Sequence, residues 1–129
     1  MTWMLVLIVS VTGGLGAVLR YLVDTGAKRV WPNRGLLGIF VVNLSAAFLV
    51  GLIAPIVARG WLSATPLWEV ALITGLLGGY STFSTVMVDS VRLLESRRTV
   101  WLLVNTLGML ILGVLASAMG IVIGSALAG

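Results

Sequence analysis

The 129-residue sequence has no cysteine and no histidine. The first absence excludes a disulfide framework, a thiolate metal site and a cysteine nucleophile. The second removes the commonest general base and the usual zinc or copper ligand. Charge is scarce as well: Asp, Glu, Lys and Arg together make 9% of the chain, against about 25% in soluble domains. The carboxylates are Asp24, Glu69, Asp89 and Glu95, none near the middle of an apolar stretch and no two at ligand spacing. Enzymatic chemistry would have to run on hydroxyls and amides, with no nucleophile–base pair to recommend it. The net charge of +4 is not a nucleic-acid footprint, because the basic residues sit beside apolar stretches. No cleavable signal peptide is evident, since the first apolar stretch lacks a basic leader and continues into Arg20 and Tyr21.

Hydrophobic residues make up 60% of the chain, before its 16 glycines are counted. A chain this short cannot hide so much apolar surface in a water-soluble core. Four stretches carry no charge: Met1–Leu19, Gly35–Ala58, Val70–Val88 and Thr99–Gly129. Each reaches the ~20 residues that a helix needs to cross a bilayer. The expectation is an all-α membrane protein, one domain over 1–129, with four transmembrane helices at about 3–23, 35–58, 66–94 and 99–127. Pro66 suits the first turn of the third. All five tryptophans (Trp3, Trp31, Trp61, Trp68 and Trp101) fall at or beside a span end, as an interfacial aromatic belt requires.

Small residues cluster where helices could approach closely: Gly13, Gly14, Gly16 and Ala17 in the first span; Ser45, Ala46, Ala47 and Gly51 in the second; Ala116, Gly120 and Gly124 in the fourth. Loops predicted on one side, with their flanks, hold Arg20, Lys28, Arg29, Arg34, Arg92, Arg97 and Arg98. The other side holds Arg59 alone. The positive-inside rule therefore puts loops 1 and 3 in the cytoplasm and both termini outside, across the plasma or inner membrane.

The segment from Gly75 to Val86 gathers three glycines and four hydroxyl residues in the middle of the third span. Two readings stay open here. One is an intact helix whose small face packs on a neighbour. The other is a helix broken mid-membrane, its freed backbone groups met by hydroxyls and lining a cavity. Asn43, deep in the second span, and Asn105, early in the fourth, each need a polar partner or a pore. Arg20 reads either as a snorkelling anchor or as part of a vestibule that draws anions. Asp89 is spaced to pair with Arg92, and Glu69 favours the start of its helix.

Three motifs then resemble one family. Gly13-Gly14-Leu-Gly16-Ala17-Val-Leu-Arg20-Tyr21 is similar to the GGxxGAxxRY opening of the Fluc/CrcB fluoride channels. Val42-Asn43-Leu44, followed by Phe48 and Gly51, resembles their second-helix VNLxGxFxxG segment. Gly78-Gly79-Tyr80-Ser81-Thr82-Phe83-Ser84-Thr85 resembles their third-helix GGxTTFSTF signature. The resemblance implies a passive channel that lets toxic fluoride leave the cytoplasm, built as an antiparallel, dual-orientation dimer in membrane lipid. It also implies a structural sodium ion held by backbone carbonyls at the third-helix breaks, here those of Gly78 and Ser81. By the same resemblance Asn43 and Phe83 line the pore, with Ser84, Thr85 and Asn105 beside them and Arg20 at the vestibule. A ring edge carries positive potential and can face an anion without trapping it.

The chain departs from the family pattern at three places. Val86 stands where the signature has its second pore phenylalanine, Ser45-Ala46 displaces a glycine, and Met109 takes the place of a polar residue in the fourth span. With the one-sided loop charge, these departures suit one half of a heterodimer of oppositely oriented homologous subunits; a homodimer is the simpler form. The alternatives are a small multidrug-type proton-coupled antiporter and a non-conducting scaffolding subunit. The antiporter needs a membrane-embedded carboxylate, which the first span lacks.

Overall fold

A computed structural model describes residues 2–60 and 66–129. The predicted spans appear as α1 (Trp3–Val30), α2 (Leu37–Ala58), a third span divided into α3 (66–80) and α4 (Ser84–Glu95), and α5 (Thr99–Leu127). The described residues contain no strand. All four spans are long and apolar enough to cross a bilayer, and the chain is a multi-pass membrane protein.

α1 runs seven residues beyond the expected end at Val23. Apolarity stops there, but helix-favouring charge takes over: Lys28 pairs with Asp24 one turn earlier at 2.6 Å, and Lys28 and Arg29 lie in the last turn, where cations suit the carbonyl end. At 28 residues α1 is about 42 Å long, more than the ~30 Å hydrocarbon core. Its outward stripe (Leu7, Val11, Leu15, Val18 and Leu22) is exposed at helical spacing, as a lipid-facing surface would be. Trp3, Trp31 and Trp101 are exposed at or beside helix ends, as the aromatic belt requires. Trp61 and the side chain of Trp68 lie outside the described residues.

Backbone proximity, rather than a large buried core, joins the helices. Along α1 and α3 a Cβ on Gly16 would strike the Leu76 carbonyl and the Tyr80 nitrogen, and one on Gly79 would strike the Gly13 backbone. Along α2 and α5, Gly51 faces the Ser117 carbonyl, Gly120 the Phe48 carbonyl and Gly124 the Leu52 carbonyl, all too close for a side chain. Residue numbers rise together along α1 and α3, and successive membrane spans alternate in direction, so α1 runs parallel to α3 and α2 parallel to α5. In lipid, where apolar burial does not drive association, such seams supply the packing. Gly14, in the same cluster as Gly13 and Gly16, faces open space.

Both readings of the third span hold, in different places. Gly75 and Gly79 lie before the break and form the small face packed on α1, with Gly75 receiving the Thr12 side chain. Residues Val70–Leu77 are π-helical, and the Gly78 N–H reaches back to the Ile73 carbonyl. The helix ends at Tyr80. Ser81 is extended (φ −73°, ψ 159°), and helical geometry resumes at Phe83 (φ −88°, ψ −35°). No glycine lies within the break itself.

Candidate functional site

The break leaves peptide groups without helical partners in a medium that offers no water. Asn43, on α2, meets two of them. Its Oδ1 accepts the Thr82 N–H at 2.9 Å, and its Nδ2 donates to the Thr82 carbonyl at 3.0 Å. A side-chain amide has the donor–acceptor pattern of a peptide, so it can stand in for a missing strand or turn. The Thr82 N–H, which an unbroken helix would direct at the Gly78 carbonyl, is thus spent on Asn43. The Gly78 carbonyl loses that partner.

The hydroxyls serve the other side of the gap. The Thr82 hydroxyl accepts the Thr85 N–H at 3.4 Å in the first turn of α4 and lies 3.1 Å from the Ser84 hydroxyl and 3.3 Å from that of Thr85. This is capping chemistry at a helix start placed inside a span. Arg20, on α1, approaches from the third side, with Nη1 donating to the Ser81 carbonyl at 3.4 Å. Above the break Tyr80 is buried, and its hydroxyl lies 2.9 Å from the Ser45 hydroxyl of α2. Four elements therefore converge on three residues, 81–83.

A groove of about 650 Å³ runs past this point between α2, the third span and α5. Asn43, Gly78, Ser81 and Phe83 line it, with Thr82, Val86, Thr106, Met109 and Ser117. Phe83 is 75% exposed at the edge of the groove. No aspartate or glutamate lines the groove, so its polarity comes from amide, hydroxyl and peptide groups. An uncharged lining of this kind can solvate an ion without binding it tightly.

The other residues singled out in the sequence lie elsewhere. Ser84 and Thr85 bond to Thr82 and do not line the groove, and Arg20 reaches the break from α1. Asn105 is 1% exposed and turned into the subunit: its Nδ2 donates to the Val86 carbonyl at 3.1 Å and to the Ser90 hydroxyl at 2.9 Å, tying α5 to α4. It sits in a π-helical turn, Val104–Gly108, and Thr106 of the same turn reaches the groove instead. Asp89 and Arg92 pair at 3.9 Å on α4, away from the break. Sequence reasoning did not single out Tyr80 or Thr106. The available signals were two polar residues inside apolar runs, one directly before the Ser81-Thr82 pair and one beside Asn105.

Comparison with known proteins places this arrangement. The chain is 42% identical over 98 residues to fluoride-specific ion channel FluC 3 of Bifidobacterium longum, an alignment covering 76% of this chain and 79% of that one. It is 36% identical over 124 residues to fluoride-specific ion channel FluC 1 of Leifsonia xyli subsp. xyli, covering 96% and 89%. The FluC channel of a Caulobacter species is 34% identical over 117 residues, 91% of each chain. The family model described as CrcB-like protein, Camphor Resistance (CrcB), matches residues 7–121, which reaches into all four spans and takes in the whole of the broken segment. The chain is a member of the CrcB-like family.

Proposed function

We propose that this protein is a subunit of a fluoride-selective channel that lets fluoride leave the cytoplasm passively and so limits its toxicity. The observation that carries the reading is the break at 81–83, held open by Asn43 and bordered by the exposed ring of Phe83 on an uncharged groove. Fluoride is small and strongly hydrated, so a path for it must offer hydrogen-bond donors and weakly positive edges in succession. The second N–H of the Asn43 amide is not used by Thr82 and supplies such a donor. The ring edge of Phe83 supplies the weaker contact that allows release.

A groove open on one side of a single chain does not enclose an ion. We infer that a homologous subunit in the opposite orientation closes it. Six basic residues in and beside loops 1 and 3, against Arg59 alone on the other side, favour a single orientation for this chain, which supports a heterodimer of two chains over a homodimer that must insert both ways. In the orientation proposed, loops 1 and 3 are cytoplasmic and both termini outside.

A structural sodium ion fits the residues at the break. The Gly78 carbonyl has lost its Thr82 partner, and Ser81, in extended geometry, directs its carbonyl out of the helix, where the long 3.4 Å contact from Arg20 leaves one of its two lone pairs for a ligand. Unwound carbonyls of this kind are suitable ligands for sodium. When bound, the ion would supply positive charge near the path of an anion and would hold two breaks together across a dimer.

Efflux from liposomes loaded with potassium fluoride, followed with a fluoride electrode, tests the reading. Flux is expected from the chain together with its partner subunit. If neither the chain alone nor the pair releases fluoride faster than empty liposomes, the reading fails. Phe83 and Asn43 variants then separate a conducting subunit from a scaffold, because flux unchanged by either would make this chain a scaffold.

A further inference from the structure

Ser45 stands in the second-span segment where the resemblance to the channel family falters, and nothing in the ion path uses it. Its hydroxyl has one proton, which goes to the Val42 carbonyl at 3.0 Å. With that proton so placed, the second contact, to the Tyr80 hydroxyl at 2.9 Å, has Tyr80 donating and Ser45 accepting, the one arrangement in which both hydroxyls donate. Tyr80 is the last helical residue before the break and is buried with Val42 and Ala46 in the packed cluster of the subunit. Two residues further on, Thr82 is held by Asn43, itself two residues before Ser45.

We propose that Tyr80 and Ser45 form a positioning pair: the Tyr80 hydroxyl, bonded to Ser45, anchors the end of α3 to α2 and sets the register in which Asn43 meets the Thr82 peptide. Asn43 can satisfy both Thr82 groups only if the chain leaves the helix at one height relative to α2. The Asn43 amide holds a single residue, Thr82, and cannot by itself stop the end of α3 from sliding or rotating. A second attachment on the other side of Ser81 removes that freedom. The tyrosine on α3 and the serine on α2 thus act together. No ion need touch either residue. The transport consequence rests on the fluoride-channel reading; the structural claim does not.

The test is hydrogen–deuterium exchange over residues 78–86 of the full chain in lipid nanodiscs, for Tyr80→Phe, Ser45→Ala, the double variant and Ser45→Thr, with fluoride efflux measured in parallel. Each removal is expected to speed exchange at the break by about two- to tenfold, the population change that one interhelical bond in a membrane controls. α5 should stay at its wild-type rate. The double variant should exchange no faster than the faster single variant, and Ser45→Thr, which keeps the acceptor, should restore protection. Efflux should fall in Tyr80→Phe in proportion to the lost protection. Unchanged exchange in Tyr80→Phe, additive effects in the double variant, or faster exchange spread equally over α5 would each overturn the pair. Absent efflux from the wild type would defeat the channel reading, while the exchange data would still decide for or against the pair.

Discussion

At the scale of the residue, the most consequential group is the Asn43 amide, because it replaces two backbone hydrogen bonds where no water can. Asn43→Leu leaves the Thr82 N–H and carbonyl unsatisfied. Destabilisation of about 2–4 kcal/mol is expected in thermal unfolding of the detergent-solubilised protein, with loss of fluoride efflux. Phe83 acts differently. Its ring is mostly exposed, so Phe83→Leu should leave the melting temperature near the wild-type value. Efflux should nevertheless slow about three- to tenfold, the rate equivalent of ~1 kcal/mol of aromatic edge contact. The glycines of α1 provide an internal control. Gly16→Ala puts a methyl group into the Leu76 carbonyl and the Tyr80 nitrogen and should cost about 1–3 kcal/mol or prevent assembly. Gly14→Ala meets open space and should be neutral or slightly stabilising, since alanine is the better helix former. Expression level and melting temperature of the two variants give the comparison.

At the scale of the element, the third span works as two half-helices, each fastened to a different neighbour. α3 lies against α1 through Gly16 and Gly79, and α4 is tied to α5 through Asn105. The division lets residues 81–83 serve as the junction where α2 enters with Asn43. The buried Asn105 Oδ1 has no partner among the described residues. An alanine at this position therefore loses two donated bonds but also removes an orphaned acceptor, and Asn105→Ala should cost only about 1 kcal/mol. Asn105→Asp puts a carboxylate against the Val86 carbonyl and should be far more damaging, by several kcal/mol unless it is protonated. Unfolding of the two variants in parallel measures the difference.

At the scale of the whole molecule, the parallel pairs α1–α3 and α2–α5 leave an uncharged groove uncovered, and the basic residues other than Arg20 and Arg59 cluster in and beside loops 1 and 3. Because the chain has no cysteine, Ser96→Cys and Gly129→Cys give clean single-site probes. In sealed right-side-out vesicles an impermeant maleimide should label position 129 and leave position 96 unlabelled. Equal labelling of both would contradict a single orientation and favour the homodimer. Replacing sodium with N-methylglucamine on both sides should suppress fluoride efflux, and lithium or potassium should restore it less well than sodium if the carbonyls of Gly78 and Ser81 hold the ion.

The amino-acid sequence by itself determined that the chain spans a membrane four times, because segments of that length and apolarity have no other stable place. The motif from Gly78 to Thr85 also located the unusual part of the third span. Local pattern could not decide what each small or polar residue there does. Gly75 and Gly79 suited a break and a packing face equally, and they are packing surfaces for α1. The break falls at Ser81–Phe83, because its backbone needs are met from sixty residues away by Arg20 and from about forty away by Asn43. Asn105 and Thr106 are neighbours in sequence, yet a π-helical turn sends one into the subunit and the other into the groove. α1 outlasted its apolar run because an Asp24–Lys28 pair sustains a helix that hydropathy does not register. Hydropathy is a property of single segments, whereas the satisfaction of a broken backbone depends on which helices lie side by side, and that only the tertiary structure decided.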